Sequence, residues 1–101
     1  MRTLALDVGD RRVGVAVCDE SGSVATPLTV VRRASKAEDF ARIARLAREQ
    51  RVGALVVGHP LNADGSSGWQ AQRVERYAAA LDQALKSEGL DLPFVLWDEY
   101  Y

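Results

Sequence analysis

Three acidic residues stand at or near the ends of apolar segments that have the character of strands. Asp7 interrupts the apolar run at residues 4–8, and Asp98 and Glu99 follow the apolar segment that ends at Trp97. A carboxylate is rare within a strand and costs free energy to bury unpaired, so Asp7 is expected to have a compensating partner. Mg²⁺ and Mn²⁺ prefer oxygen ligands and can activate water for phosphodiester cleavage. The alternatives are a turn-capping Asp7 and acidic strand ends that are merely solvated.

A second group of residues could contact phosphate. Arg11 and Arg12 lie in the turn of the first predicted hairpin, and Arg suits bidentate phosphate contacts. Asn62, Asp64 and Gly65 precede a predicted helix, which is typical of a phosphate- or base-contacting loop but equally of a well-formed turn. We take these five residues as candidate substrate-binding residues.

Other side chains have plainer interpretations. His59, beside Pro60, is more typical of a bystander than of a metal ligand or proton shuttle. Trp69 and Trp97 are expected in the core or an interface rather than as base-stacking platforms. A basic strip recurs at every third position of the first predicted helix, which favours a solvated face over a nucleic-acid contact; it comprises Arg42, Arg45, Arg48 and Arg51.

Hydrophobic periodicity places these residues on seven predicted elements. Pro27 cannot donate a ladder hydrogen bond, so the third strand should lie at a sheet edge. The continuous apolar run at 54–58 predicts a strand covered on both faces. A capping box at Ser35 and Glu38 opens the first helix, which Gly53 should follow, and Gly89 should end the second. The predicted strands cover 2–9, 12–19, 24–32, 54–58 and 93–97, the helices cover 36–51 and 69–87, and turns or loops cover 21–23 and 59–68.

The order β-β-β-α-β-α-β predicts one α/β domain over residues 1–101. Two right-handed crossovers after a three-stranded meander favour the mixed sheet order 3-2-1-4-5, the ribonuclease H topology, with flanking helices. The first, fourth and fifth strands are then parallel, so Asp7, the 62–65 loop and the Asp98–Glu99 pair meet at one sheet edge. Strand alternation allows only one of Asp98 and Glu99 to share the face of Asp7, which is lined by small residues.

Composition narrows the class of protein. The 101 residues carry a net charge of −1, which argues against a protein that coats nucleic acid by bulk electrostatics. The basic residues are nevertheless concentrated in the first half of the chain, and 11 of the 13 are Arg. No apolar run is long enough to span a membrane, no signal peptide is evident and the chain has one cysteine, so we expect a cytoplasmic protein without membrane partners.

Three motifs together resemble the YqgF family, also called RuvX. They are the DxG strand opening at Asp7 with the following hairpin, the GxPLNxDG loop at 58–65, and the Asp98–Glu99 pair. The resemblance implies a ribonuclease H-like, Mg²⁺- or Mn²⁺-dependent nuclease of the bacterial cytoplasm, acting on Holliday junctions or on the 5′ end of pre-16S rRNA. It assigns Asp7 and Glu99 as catalytic residues and metal ligands, and Asp98 as a catalytic helper.

Two departures from the family pattern open an alternative. The acidic pair is usually followed by Arg and then by a helix that carries a third catalytic Asp, whereas Tyr100 and Tyr101 follow here, so the domain resembles a C-terminally shortened member. A non-catalytic nucleic-acid- or protein-binding module is therefore the second hypothesis. Without that helix, part of the sheet face with Trp97 or Leu96 should be uncovered, which would promote self-association, for example as a homodimer.

Overall fold

The chain forms the predicted elements in the predicted order. The structure is a computed structural model that describes residues 1–21 and 24–100, except for the side chains of Glu99 and Tyr100; the predicted turn at 21–23 lies partly outside the described residues. The elements are β1 (Thr3–Val8), β2 (Arg12–Cys18), β3 (Ala25–Arg32), α1 (Lys36–Glu49), β4 (Ala54–Leu61), α2 (Trp69–Ser87) and β5 (Phe94–Tyr100).

The strands form one mixed sheet in the predicted order β3-β2-β1-β4-β5. β1 and β2 pair antiparallel, as do β2 and β3, while β4 is parallel to both β1 and β5. Pro27 lies on edge strand β3, opposite Ala16, where the register of the β2–β3 pair shifts. The edge position of Pro27 is confirmed.

Both helices pack on the same face of the sheet. The two crossovers run in the same direction across the sheet, and right-handed connections then place both helices on one side. Bulky strand residues such as Leu4 and Leu55 form one core there with helix residues such as Ile43 and Leu81. Val56 and Gly58 line a cleft on the opposite face. The prediction that β4 is covered on both faces is therefore wrong for the described residues.

The helix ends agree with the sequence signals except at one position. The Ser35 hydroxyl accepts a hydrogen bond from the Glu38 backbone N–H at 3.2 Å, which confirms the capping box. Gly89 follows α2 with a φ of 83°. After α1, however, the left-handed residue is Arg51, with a φ of 53°, rather than Gly53. Gly53 instead makes room for the side chain of Met1, which a Cβ at this position would overlap.

β4 continues three residues beyond the predicted strand. His59, Pro60 and Leu61 pair in register with Asp98, Glu99 and Tyr100 of β5, so the segment predicted as the start of a loop has a parallel partner. Leu61 is buried, which helps to hold the extension against the rest of the domain. Asp98 and Glu99 consequently lie within β5 rather than after it.

Candidate active site on the open sheet face

Asp7 lies on the open face of the sheet between two glycines. It pairs with Gly14 of β2 and, one residue beyond the Leu6–Val57 pair, lies level with Gly58 of β4. The carboxylate is exposed and has no hydrogen bond or ion pair with another described residue. The expectation that Asp7 is a buried charge is thus wrong, because no described element covers this face. The flanking glycines leave space beside the carboxylate for an ion or a phosphate.

The open face forms a shallow, largely apolar cleft next to Asp7. Its volume is about 620 Å³, and its lining includes Ala5, Ala16, Val56 and Trp97. Trp97 is 67% exposed, which confirms the predicted uncovered face and places this residue, rather than Leu96, on its surface. A core position is therefore excluded for Trp97.

Trp69 is likewise not a core residue. It is 66% exposed at the start of α2, with the guanidinium of Arg73 5.3 Å from its ring centroid. Arg73 also forms an ion pair with Asp10 at 2.6 Å, which links α2 to the β1–β2 turn. Both tryptophans therefore lie on the surface, because neither strand position 97 nor the first turn of α2 faces the core between the helices and the sheet.

The register of β5 separates the two acidic residues at its end. Asp98 pairs with His59 and bonds to it on the helix side of the sheet, opposite to Asp7. Position 99 pairs with Pro60, one residue further along β5. The side chain of Glu99 lies outside the described part of the structure. Asp98 therefore does not share the face of Asp7, and Glu99 as the partner of Asp7 stays a prediction.

His59 occupies the centre of a hydrogen-bonded cluster on the helix side. Its Nε2 lies 2.7 Å from Oε2 of Glu75 in α2, and its Nδ1 lies 3.1 Å from Oδ1 of Asp98 in β5. The Ser67 hydroxyl also donates to Glu75, at 3.1 Å. The two carboxylates contact opposite ring nitrogens, so the three groups cannot bind one ion together. The expectation that His59 is a bystander missed this link between β4, α2 and β5.

The cluster shifts the pKa of its members in opposite directions. Burial, the largest single influence on His59, lowers its pKa, but the hydrogen bonds and charges of Glu75 and Asp98 together outweigh burial and raise it above 6.5. The hydrogen bond from His59, followed by that from Ser67, lowers the pKa of Glu75 below its usual 4.5. Both shifts favour the charged imidazolium beside the charged Glu75 carboxylate.

The loop after β4 is a compact turn held by its own polar groups. The Asn62 carbonyl accepts from the Gly65 N–H at 2.8 Å, and Gly65 has the left-handed φ of 85° that suits glycine. The Asp64 carboxylate accepts from both the hydroxyl and the N–H of Ser66, and these bonds lower its pKa. The turn interpretation is thus confirmed, and the exposed loop is also available to a ligand.

The two arginines of the first hairpin are exposed at the same sheet edge as Asp7. Arg11 and Arg12 form no side-chain hydrogen bond or ion pair with any described residue. Arg12 alternates with buried Val13, so it lies on the open face, as does Arg32, which pairs with it across the β2–β3 ladder. Arg32 was not identified as a candidate from the sequence, because its closeness to Arg12 follows only from this pairing.

The described residues fit a divalent cation in part. They contain no group of three His, Cys, Asp or Glu side chains that could hold a metal ion. On the open face they do provide an uncommitted carboxylate, Asp7, which lies between Gly14 and Gly58. A site with few protein carboxylates suits Mg²⁺ or Mn²⁺, which commonly keep waters and take further ligands from substrate phosphates. The fit is therefore to an ion shared with a substrate.

The strand order and the two flanking helices define a ribonuclease H-like fold. One solved structure, Thermus thermophilus RuvC in complex with a Holliday junction substrate, matches 98% of this chain and 66% of its own chain, with a TM-score of 0.67 and 17% sequence identity. At this identity the likeness concerns the fold alone. The family model described as RuvX, Holliday junction resolvase, matches residues 1–101, and the chain belongs to this family, as predicted from its motifs.

Curated relatives share the sequence over nearly the whole chain. A protein of Thermoanaerobacter pseudethanolicus is 42% identical over 98% of this chain and 68% of its own length. A protein of Syntrophus aciditrophicus is 44% identical over 98% of this chain and 63% of its own length. Both are named "Putative pre-16S rRNA nuclease". The chain thus spans about two thirds of the length of these relatives. Among the described residues, no helix is long and apolar enough to cross a membrane.

Proposed function

We propose that this protein is a divalent-metal-dependent nuclease that cleaves structured nucleic acid in the cytoplasm. The observation that carries the proposal is the position of Asp7, an exposed carboxylate without a protein partner among the described residues, between Gly14 and Gly58. Nothing in the fold requires an acidic residue there, since the strand could continue with any small side chain. Membership of a nuclease family and the names of the relatives support the same class of reaction.

The residues of the chain divide into three roles in this proposal. Asp7 and Glu99 would hold Mg²⁺ or Mn²⁺, which supplies an activated water and stabilises the leaving oxygen when bound. Arg11 and Arg12 would bind the phosphodiester backbone, and their free guanidinium groups lie at the edge where β1 ends. The exposed loop of Asn62, Asp64 and Gly65 would contact substrate at the same edge, with Asp98 as a helper that acts through the end of β5. Branched DNA and precursor 16S rRNA are the proposed substrates.

Replacing Asp7 with Asn tests the proposal. Asn keeps the shape of the side chain but loses the charge that would hold the ion, so Asp7→Asn should abolish cleavage and leave the melting temperature close to that of the parent. The assay should use the whole protein encoded by the gene, with a DNA four-way junction and a structured rRNA precursor side by side. Asp91→Asn, an exposed carboxylate before β5, is the matched control and should retain activity. Full cleavage by Asp7→Asn would refute the assignment.

Metal binding provides a readout that does not depend on turnover. We expect weak Mn²⁺ binding, in roughly the millimolar range, since few protein ligands are available without substrate. Paramagnetic broadening of backbone amides should then centre on Asp7 and the end of β5. Broadening that centres elsewhere, or that persists unchanged in Asp7→Asn, would remove the metal site from the proposal.

The second candidate is a binding module without catalytic activity. It is favoured by the single carboxylate among the described residues of the open face. A module would bind junctions or structured RNA with similar affinity before and after Asp7→Asn and would cleave neither. The nuclease assay therefore separates the two functions directly.

A further inference from the structure

Two arginines lie directly opposite each other on the open face. Arg12 of β2 and Arg32 of β3 are register partners in the antiparallel ladder. The next pair along the ladder is the hydrogen-bonded one, because the Arg33 N–H donates to the Arg11 carbonyl at 2.8 Å. Arg12 and Arg32 therefore form a non-hydrogen-bonded pair, the type in which opposing side chains are closest, with Cα atoms about 4.5 Å apart.

This arrangement is unfavourable without an anion. Like charges directly opposite on one sheet face repel each other, and both side chains are exposed on the face away from the helices. Neither guanidinium has a carboxylate partner among the described residues, although other arginines of the chain do: Arg73 pairs with Asp10 and Arg48 with Glu88. Two paired guanidinium groups offer converging N–H donors, which match the oxygens of a phosphate.

One member of the pair, Arg12, also lies on the strand next to the proposed catalytic carboxylate. Arg12 is two residues along β2 from Gly14, the partner of Asp7, so it lies diagonally across from Asp7 on the same face, at a residue separation of about 7–8 Å. Long side chains reach across such a distance. A phosphate held by the two arginines would therefore belong to the same backbone as a phosphodiester bond held at Asp7.

We infer that Arg12 and Arg32 together form a phosphate clamp for the nucleic-acid backbone next to the cleavage site. The inference rests on the proposed nuclease function for its substrate, but it assigns a new binding residue, Arg32, and a specific partner for Arg12. The clamp recognises the phosphodiester group, which DNA and RNA share. It therefore positions the strand without selecting its sequence.

Salt-dependent binding tests the clamp. Affinity for a DNA four-way junction and for a hairpin RNA is measured in EDTA, where metal-dependent cleavage is prevented, between about 50 and 300 mM salt. The slope of log K against log salt is negative, and each lost contact to a duplex phosphate makes it shallower by about 0.9. At 0.1 M salt this corresponds to about eightfold weaker binding. Arg32→Ala should show this loss, and the double variant Arg12→Ala/Arg32→Ala roughly twice the change in slope.

Two further variants make the result specific. Arg42→Ala removes an exposed charge from α1, on the helix side of the sheet, and should leave the slope unchanged. Arg32→Lys keeps the charge and should retain the slope. The clamp is overturned if Arg32→Ala leaves the slope unchanged in a folded protein, or if Arg42→Ala lowers it equally.

The outcome can be separated from that of the proposed function. Loss of cleavage in Asp7→Asn together with unchanged binding by Arg32→Ala would keep the nuclease and refute the clamp. A reduced slope in Arg32→Ala together with full cleavage by Asp7→Asn would keep the clamp and refute the proposed catalytic site. A reduced slope with only one of the two nucleic acids would identify which backbone the clamp binds.

Discussion

The cluster around His59 should make the stability of the domain depend on pH in a defined window. His59 is 12% exposed at its side chain and is the only histidine of the chain, so its ring signals can be followed by NMR without assignment of other histidines. We predict that Glu75→Gln lowers the pKa of His59, because burial still lowers it while Asp98 alone remains to raise it. Asp98→Asn should act in the same direction.

The sign of the pH dependence follows from the two shifts. The raised pKa of His59 contributes stability below the unfolded value of about 6.5, and this contribution is lost as the pH rises through the folded value. The lowered pKa of Glu75 contributes stability above its unfolded value of 4.5, which is lost as the pH falls through the folded value. The cluster therefore stabilises the fold most between about pH 4.5 and pH 6.5.

The change in the free energy of unfolding with pH is limited by the single proton that His59 gains or loses. Between pH 6.5 and the folded pKa of His59, the free energy of unfolding should fall by at most about 1.4 kcal/mol per pH unit. Hydrogen bonds to charged groups contribute about 1.5–3 kcal/mol, and because Glu75 is 40% exposed we expect Glu75→Gln to cost about 1 kcal/mol at pH 6. The cost should be smaller at pH 9, because less of the ring is protonated there than at pH 6.

The assay combines NMR titration of the ring with urea unfolding at pH 6 and pH 9. Glu49→Gln is the matched control, since Glu49 is exposed on α1 and has no partner among the described residues. It should change neither the pKa of His59 nor the pH dependence of unfolding. If Glu75→Gln and Asp98→Asn both leave the pKa of His59 where it was, the ring is not held between the two carboxylates and the reasoning is refuted.

The remaining predictions concern packing, capping and association. The Tyr77 hydroxyl is buried without a described hydrogen-bond partner, and burial is the main cause that raises its pKa to about 12; Tyr77→Phe should therefore stabilise the domain by about 1 kcal/mol in urea unfolding, and a loss would show that the hydroxyl has a partner. Ser35→Ala should cost about 1 kcal/mol in the same assay, because the Glu38 N–H loses its cap; an unchanged stability would count against the capping box. Light scattering of the 101-residue chain should show concentration-dependent self-association that Trp97→Ser reduces, whereas a strict monomer at high concentration would mean that the open face does not drive association.

The fold could be predicted because the apolar pattern of the individual elements and the handedness of the crossovers indicate the same topology. Apolar periodicity identified both helices, and the bounds of α2 match the prediction, since Gly89 adopts the left-handed conformation that ends it. The handedness of the two crossovers then left one economical strand order. The extension of β4 through Pro60 could not be predicted, because a His-Pro pair has weak strand propensity and its partner in β5 lies 39 residues away.

The candidate site shows which candidate functional residues can be recognised from the sequence alone. Asp7 stood out because an acidic residue in an apolar strand is unusual, yet the physical reason was different from the expected one: the residue is exposed and uncommitted, rather than buried and compensated. An acidic residue that the fold does not use for its own stability is stronger support for a ligand than a neutralised one would be. The signal was therefore informative even though the inferred burial was wrong.

The residues that the sequence did not reveal are those whose role depends on pairing. His59 contacts Glu75 and Asp98, which lie 16 and 39 positions further along the chain, so no spacing rule connects them. Arg32 becomes relevant only once the register of β2 and β3 places it opposite Arg12. The same register places Asp98 beside His59, on the face opposite to Asp7. Residue types thus predict a phosphate- and metal-handling site, whereas strand register determines which of the described residues share one face of the sheet, since a one-residue slip of a strand moves its side chains to the other face.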